Sequence, residues 1–175
     1  MKKKNLVWII TSVVLLIAVI VLLILLLTGG SGSNGYKDKK NRTVNDLMDA
    51  YVRTIVKTDV DAGNSIFPKY YYDQRGEFTK EKLDSNLERS KKEYGDDFNI
   101  TYEITKTTKM TDEELKTQNN NIKDMFNTEE EASECYKYEG TITFKGSKDQ
   151  DTDPISTMVY CKYGEEWYLS TNYSS

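Results

Sequence analysis

The sequence predicts an α+β protein in which an N-terminal transmembrane helix is followed by a curved antiparallel sheet packed against helices. Three patterns in the 175 residues indicate this class: an uncharged apolar stretch near the N-terminus, helical periodicity after it, and alternation of apolar and polar residues towards the C-terminus. The predicted parts are a short basic cytoplasmic tail (residues 1–5), a transmembrane helix (6–28), a flexible linker (29–42) and one extracytoplasmic α+β domain (43–175).

The apolar stretch runs from Leu6 to Thr28 without a charged residue. As a helix it would be roughly 34 Å long, which is enough to cross a bilayer, and it is too long for the apolar region of a cleaved signal peptide. Three lysines at positions 2–4 adjoin it and predict a cytoplasmic N-terminus. We therefore expect a single-pass signal-anchor in the cell membrane, with the membrane as a partner through residues 6–28.

The linker at residues 29–42 is rich in Gly, Ser, Asn and charged residues, which favours a flexible segment. The first helix of the domain is predicted to begin at Thr43, because Thr43 and Asp46 have the spacing of a capping box. Its apolar stripe ends before residues 59–63, which we expect to terminate the helix. A short helical turn through residues 66–67 is then predicted to stop at Pro68.

Two longer helices are predicted in the middle of the domain. One covers about residues 79–94 and stops at Gly95. The other starts with a second capping box, Thr111 and Glu114, and has apolar positions as far as Phe126.

The strands are predicted from alternation with a period of two residues. A first strand covers residues 98–105, and a second covers residues 134–145, with apolar side chains on one face of each. The stretch 146–154 is expected to be a loop. It leads to a strand at 155–163, and a tight turn leads to a final strand at 167–171.

Composition excludes several classes of function. The chain contains no histidine, which removes the commonest general base and transition-metal ligand. Residues 1–28 contain three lysines and no acid, so the remainder carries a net charge of about −7, which argues against a nucleic-acid partner. The alternate carboxylates of residues 149–153 lack the Gly and Glu of a calcium loop, so we expect a solvated loop there. We predict no metal, no cofactor and no catalytic residue.

Three segments carry a resemblance to a known group of domains. They are Lys-Thr-Asp-Val-Asp-Ala at 57–62, Thr-Asp-Glu-Glu-Leu at 111–115 and Tyr-Gly-Glu-Glu-Trp-Tyr-Leu at 163–169. With them the chain resembles the nuclear transport factor 2-like and cystatin-like exported domains of bacterial membrane-anchored proteins, over nearly all of residues 43–173. The resemblance implies a half-open cone in which a bent sheet wraps a long helix, and relatives that include enzymes as well as binding modules.

Cys135 and Cys161 are the only cysteines, and both fall on predicted neighbouring strands. If the two strands pair in an even register, the cysteines lie opposite each other and can form a disulfide; an odd register places them on opposite faces. The sequence leaves both a disulfide and two separate thiols open.

Aromatic residues are the candidates for ligand binding, because rigid rings with polar tips suit a pocket. The candidates named for the ligand site are Tyr102, Tyr138, Tyr160 and Trp167. Four further tyrosines could contribute to the same lining: Tyr70, Tyr71, Tyr72 and Tyr136. The alternative is that these rings have only a structural role in the core and at its rim.

Three functions compete at this point. The leading one is a non-catalytic, membrane-tethered binding module outside the cytoplasm, with a protein or small-molecule ligand in the cell envelope. The alternative is a small cone-fold enzyme that uses a buried carboxylate, for which Glu103 and Glu139 are candidates if the strand register turns one inward. The third is a structural partner of another membrane protein through residues 6–28, although this span lacks a seam of small residues.

Overall fold

The computed structural model describes residues 38–155 and 158–171, which form an α+β fold with a curved antiparallel sheet. The helices of this part are α1 (Val44–Val56), α2 (Val60–Ile66), α3 (Lys69–Arg75), α4 (Lys80–Tyr94) and α5 (Asp112–Phe126). The strands are β1 (Asn99–Lys109), β2 (Glu134–Lys145), β3 (Gln150–Pro154), β4 (Met158–Tyr163) and β5 (Glu166–Thr171).

The predicted fold class is wrong in one part, which is the transmembrane helix. Within residues 38–155 and 158–171, no helix has both the length and the apolar character needed to cross a membrane. This finding removes the single-pass and signal-anchor assignments from the description of the fold. The segment that was predicted to span the membrane, Leu6–Thr28, lies outside the described residues.

The capping signals in the sequence locate two helix starts correctly. Thr43 caps α1, and its backbone N–H donates to Asp46 at 2.8 Å while its hydroxyl accepts from the Asp46 backbone. Thr111 and Glu114 form the same arrangement at the start of α5. The helix over residues 80–94, α4, is likewise confirmed.

The region between α1 and α4 differs from the prediction. Asp59 does not lie in a terminating loop but caps a new helix, α2, and its carboxylate accepts from the backbone N–H of Ala62 at 3.0 Å. Pro68 then precedes α3, a helix of 7 residues that the sequence pattern did not reveal. Short helices such as α2 and α3 lack the two turns of periodicity on which sequence prediction depends.

The sheet has the order β1-β2-β4-β5. The first part of β2, residues 134–137, pairs with β4, and its last part, residues 141–145, pairs with β3. The loop predicted at 146–154 is therefore wrong in its second half, since residues 150–154 form β3. This strand is exposed along its whole length, so it shows no apolar alternation from which it could be predicted. The sheet runs antiparallel throughout.

Gly140 lies where the pairing of β2 is interrupted on both sides. In β1 the register shifts by one residue between Ile104, which pairs with Gly140, and Lys106. On the other side, β2 pairs with β3 up to Thr141 and with β4 from Lys137. The extra residue in β1 bends that strand and increases its twist, so the sheet curves at Gly140.

Both faces of the sheet are covered, by different helices. Leu47 and Met48 of α1 pack in one cluster with Tyr138 and Leu169, while Ile122 of α5 packs in a second cluster. The second cluster also holds the strand residues Cys135, Val159, Cys161 and Tyr163. Because successive strand residues point to opposite faces, α1 and α5 lie on opposite sides of the sheet.

Cys135 and Cys161 face each other across β2 and β4 and form a disulfide with a Cα–Cα distance of 4.1 Å. The register is the even one, with Tyr136 opposite Tyr160 in the next pair. Both cysteines are buried under α5. The disulfide therefore joins the two strands inside the second core cluster.

The end of the predicted linker belongs to the folded part. Lys39 accepts a hydrogen bond through its backbone oxygen from the N–H of Trp167 at 2.8 Å. Arg42 is only 3% exposed and donates to the backbone oxygens of Ser65, at 2.6 Å, and Trp167, at 3.2 Å. Burial lowers the pKa of the Arg42 guanidinium. Lys39 and Arg42, at the end of the segment predicted as a linker, therefore contact the folded domain.

Candidate functional site

A cavity of about 380 Å³ lies among α1, α2, α3, α4 and the ends of β4 and β5. Its volume is within the range of small-molecule pockets. The described residues that line it are Tyr51, Thr54, Ile55, Ile66, Phe67, Tyr71, Phe78, Leu83, Asn86, Met158, Ser170 and Thr171. None of these side chains is charged, and most of the lining is aliphatic or aromatic.

The amphipathic character of α1 supplies one wall of the cavity. The stripe that packs on the sheet uses Leu47 and Met48, whereas Tyr51 and Ile55 lie further round the helix and are only partly buried. Across the cavity, α4 presents Leu83, its one buried side chain. A helix with a single buried residue packs loosely on its neighbours, which leaves space between α1 and α4.

The segment that joins α3 to α4 is held in place by a pair of hydrogen bonds. Asn64 donates from its amide to the backbone oxygen of Phe78 at 3.0 Å, and its side-chain oxygen accepts from the Phe78 N–H at 2.8 Å. Phe78 is thereby fixed at the cavity wall. On the neighbouring wall, the rings of Phe67 and Tyr71 stack with their centroids 4.3 Å apart.

Gly63 allows α2 to pack closely against its neighbours in the cavity wall. A β-carbon at residue 63 would lie 2.9 Å from Cγ2 of Thr54 and 3.0 Å from a ring carbon of Phe78. Both of those side chains line the cavity. The glycine therefore lets α2 approach α1 and the Phe78 ring at the same time.

The polar side chains in the lining divide into bonded and unbonded groups. Thr54 donates to the Ala50 carbonyl at 2.7 Å, Asn86 accepts from Arg89 at 2.6 Å, and Ser170 accepts from Gln118 at 3.5 Å. The hydroxyls of Tyr51 and Tyr71 take part in no hydrogen bond with the residues that the structure describes. Burial raises the pKa of Tyr51, and the nearby Tyr71 adds to this effect.

The chain was compared with family models, curated proteins and solved structures. None of them matches it. The resemblance to the nuclear transport factor 2-like and cystatin-like group therefore stays a prediction, and the function has to be argued from the geometry of the described residues.

The four aromatic candidates from the sequence do not line this cavity. Tyr138 is buried beneath α1, with its hydroxyl 3.8 Å from the Met48 sulfur. Tyr102 donates its hydroxyl to Asp49 of α1 at 2.7 Å. These two rings attach the sheet to α1. Of the additional tyrosines, Tyr71 lies in the cavity wall.

The other two candidates form an aromatic ladder on the sheet, which consists of Tyr136, Tyr160 and Trp167. The ring centroids of Tyr160 lie 5.0 Å from those of both Tyr136 and Trp167. Lys109 lies over the Tyr136 ring at 6.0 Å and Lys162 over the Trp167 ring at 5.9 Å. The rings are partly buried, so the ladder is a rim of the core that remains in contact with solvent.

The remaining two tyrosines of the predicted set have structural contacts. The hydroxyls of Tyr70 and Tyr163 lie 2.9 Å apart in the second core cluster. Tyr72 donates to the backbone oxygen of Gly63 at 2.7 Å and accepts from the N–H of Phe67 at 3.0 Å. Tyr72 therefore links α3 to α2.

The carboxylates suggested for an enzyme lie away from the cavity. Glu103 and Glu139 are both exposed, and Glu139 pairs with Lys106 at 2.8 Å.

Over residues 38–155 and 158–171, no three His, Cys, Asp or Glu side chains are grouped as metal ligands would be. Asp151 and Asp153 of the acidic stretch lie on β3, where Asp151 accepts from the hydroxyl of Tyr94 at 2.9 Å.

Sequence reasoning missed most of the cavity residues. Tyr51 and Ile55 belong to the apolar stripe of α1, where they look like ordinary core positions. One signal for the cavity was present in the sequence. The apolar stripe of α1 is wide, whereas the stripe of α4 has too few apolar side chains to cover the stripe of α1.

Proposed function

We propose that this protein is a non-catalytic binding module that acts outside the cytoplasm and holds a small, uncharged, largely apolar ligand in the cavity between α1 and α4. The observation that carries the proposal is the cavity itself, with about 380 Å³ of space and no charged side chain among its described lining residues. An ion in such a lining would lose its hydration without gaining a partner of opposite charge. An apolar molecule would gain buried contacts.

The disulfide supports a location outside the cytoplasm. Cys135 and Cys161 are bonded, and structural disulfides persist in oxidising compartments, whereas cytosolic thiols are kept reduced. The absence of histidine removes the commonest general base, which agrees with a non-catalytic role. The exposed positions of Glu103 and Glu139 provide no buried carboxylate to act as a base.

The proposal is tested by titrating the full chain with N-phenyl-1-naphthylamine, an uncharged apolar dye that fluoresces on leaving water. We expect saturable binding at one site per chain. Replacing Asn86 with Trp should abolish it, because Asn86 is an exposed lining residue and a large ring there fills the entrance without disturbing the core.

The matched control is Asn120→Trp, which makes the same change at an exposed position of α5 on the other side of the sheet. This variant should bind the dye like the unchanged protein. Absence of saturable binding to the unchanged chain, or equal binding by the Asn86→Trp variant, would refute the proposal.

A further inference from the structure

Phe78 is the part of the cavity wall that receives the least apolar support from its own segment. Among residues 73–82, around the connection of α3 to α4, only Phe78 is partly buried and the others are exposed. Residues 76–79 belong to no helix or strand. Gly76 has a φ of 75°, a conformation that glycine adopts readily. The neighbouring side chains therefore do not fix the Phe78 ring by apolar packing.

The backbone of Phe78 is held by the side chain of Asn64. Both hydrogen-bonding groups of the Phe78 main chain are used, at 3.0 Å for its carbonyl oxygen and 2.8 Å for its N–H. Asn64 belongs to α2, whose residues Ala62, Gly63 and Ile66 are buried, so the amide extends from a packed helix. Asn64 is not among the described residues that line the cavity. Its influence on the cavity therefore passes through Phe78.

The ring of Phe78 has a defined place in the wall as a result. A β-carbon on Gly63 would lie 3.0 Å from a carbon of this ring, so the ring lies against the backbone of α2. From that position it lines the cavity, where an aromatic ring offers a large apolar surface to a bound molecule. A ring that is not held in place has to be ordered whenever a ligand binds. The apparent affinity is then reduced by the fraction of molecules in which the ring is already in position.

From these observations, and resting on the proposed function, we infer that Asn64 is a positioning residue of the binding site. Its two hydrogen bonds hold the Phe78 ring in the place where the ligand contacts it, before the ligand arrives. The affinity of the site thus depends on a polar side chain that the ligand does not touch.

The test compares Asn64→Ala with the unchanged full chain in titrations with N-phenyl-1-naphthylamine. We expect about 10-fold weaker binding, as when the ring is in place in about one molecule in ten. The matched control is Asn119→Ala. Asn119 of α5 holds Ala132 with the same pair of bonds, donating to its carbonyl oxygen and accepting from its N–H, both at 2.9 Å. No residue of α5 is among the described residues that line the cavity, so this variant should bind the dye like the unchanged chain.

The double variant Asn64→Ala, Phe78→Ala shows whether Asn64 acts through the ring. Phe78→Ala keeps the main-chain groups that Asn64 bonds but removes the ring, and should itself weaken dye binding. Adding Asn64→Ala to it should change the Kd by less than about 2-fold, because the bonds no longer position a group that the ligand contacts. A side chain with a purely structural role would weaken binding as much in this background as in the unchanged chain.

The inference is overturned, while the proposed function stands, if Asn64→Ala binds the dye like the unchanged chain. Equal losses in Asn64→Ala and Asn119→Ala, or a 10-fold loss on adding Asn64→Ala to Phe78→Ala, would overturn it as well. If Asn64→Ala does not fold, Asn64→Asp replaces it, since its carboxylate accepts from the Phe78 N–H but cannot donate to the carbonyl oxygen; a loss of about 5-fold is then expected. If the dye does not bind to the unchanged chain, the proposed function fails and the inference with it.

Discussion

The backbone oxygen of Glu103 in β1 lies 2.0 Å from the position that a β-carbon on Gly140 of β2 would occupy. No real pair of such atoms approaches this closely, so any side chain at residue 140 would push the two strands apart. Gly140 is therefore needed for steric reasons at the point where the sheet curves.

Gly140→Ala should lower the free energy of unfolding by about 2 kcal/mol, as expected for a contact that the backbone has to relieve. Urea denaturation measures the effect. Gly164→Ala is the control, because a β-carbon there meets nothing within 4 Å and only the positive φ of 60° opposes the change. A Gly140→Ala variant as stable as the control would show that the close approach is absent.

Removal of the disulfide should destabilise the domain by about 3 kcal/mol in the chain-entropy model. The bond joins residues 26 positions apart, and the change is made with the double variant Cys135→Ala, Cys161→Ala. Denaturation in urea compares the variant with the oxidised protein.

The disulfide also gives a test of the compartment. Thiols are counted on unreduced, denatured protein isolated from its native cells, and none should be found. Two free thiols would contradict the location outside the cytoplasm that we propose.

Tyr72 should make the stability depend on alkaline pH. Burial raises its pKa from 10.0 to about 12, so between these values the unfolded chain releases the phenol proton before the folded one does. The stability that this group contributes is complete below pH 10 and is lost as the pH rises towards 12.

The variant Tyr72→Phe should be less stable at neutral pH by about 2 kcal/mol, because two hydrogen bonds disappear. The difference from the unchanged protein should shrink as the pH rises through 10–12. Urea denaturation at several pH values measures both effects. A difference that stayed constant with pH would argue against the raised pKa.

Thr111→Ala should cost about 1 kcal/mol of stability, since Thr111 caps α5 through its hydroxyl. Thr117→Ala changes an exposed threonine inside the same helix and should be neutral or slightly stabilising, because alanine favours helices. Thermal unfolding of the two variants provides the comparison. Equal losses would mean that the cap contributes nothing beyond helix propensity.

The parts of the fold that could be predicted are those in which one local rule acts over many residues. The capping residues Thr43 and Thr111 and the alternation in β2 located their elements within one or two positions. The strand β3 could not be found in this way, because both of its faces are exposed and its residues resemble a loop. Its place is set by pairing with β2, which the local sequence does not encode.

The site was harder to predict than the fold because it depends on a space between elements. Tyr160 and Trp167 were candidates because of their aromatic rings, yet they lie in the aromatic ladder and not in the cavity. Tyr51 carries no distinguishing signal, since a tyrosine on an apolar helical stripe looks like core. Only the arrangement of α1 and α4 in the folded protein shows that Tyr51 lies beside a cavity.

The bond between Cys135 and Cys161 also determines whether the fragments separate after proteolytic cleavage. The chain between these residues forms a closed ring, and the turn that joins β2 to β3 lies within it, flanked by the exposed Lys145 and Lys148. A single cut beside either lysine opens the ring but leaves two fragments connected through sulfur. The nicked molecule gains only the water of hydrolysis, and its two pieces separate only when a reductant is added.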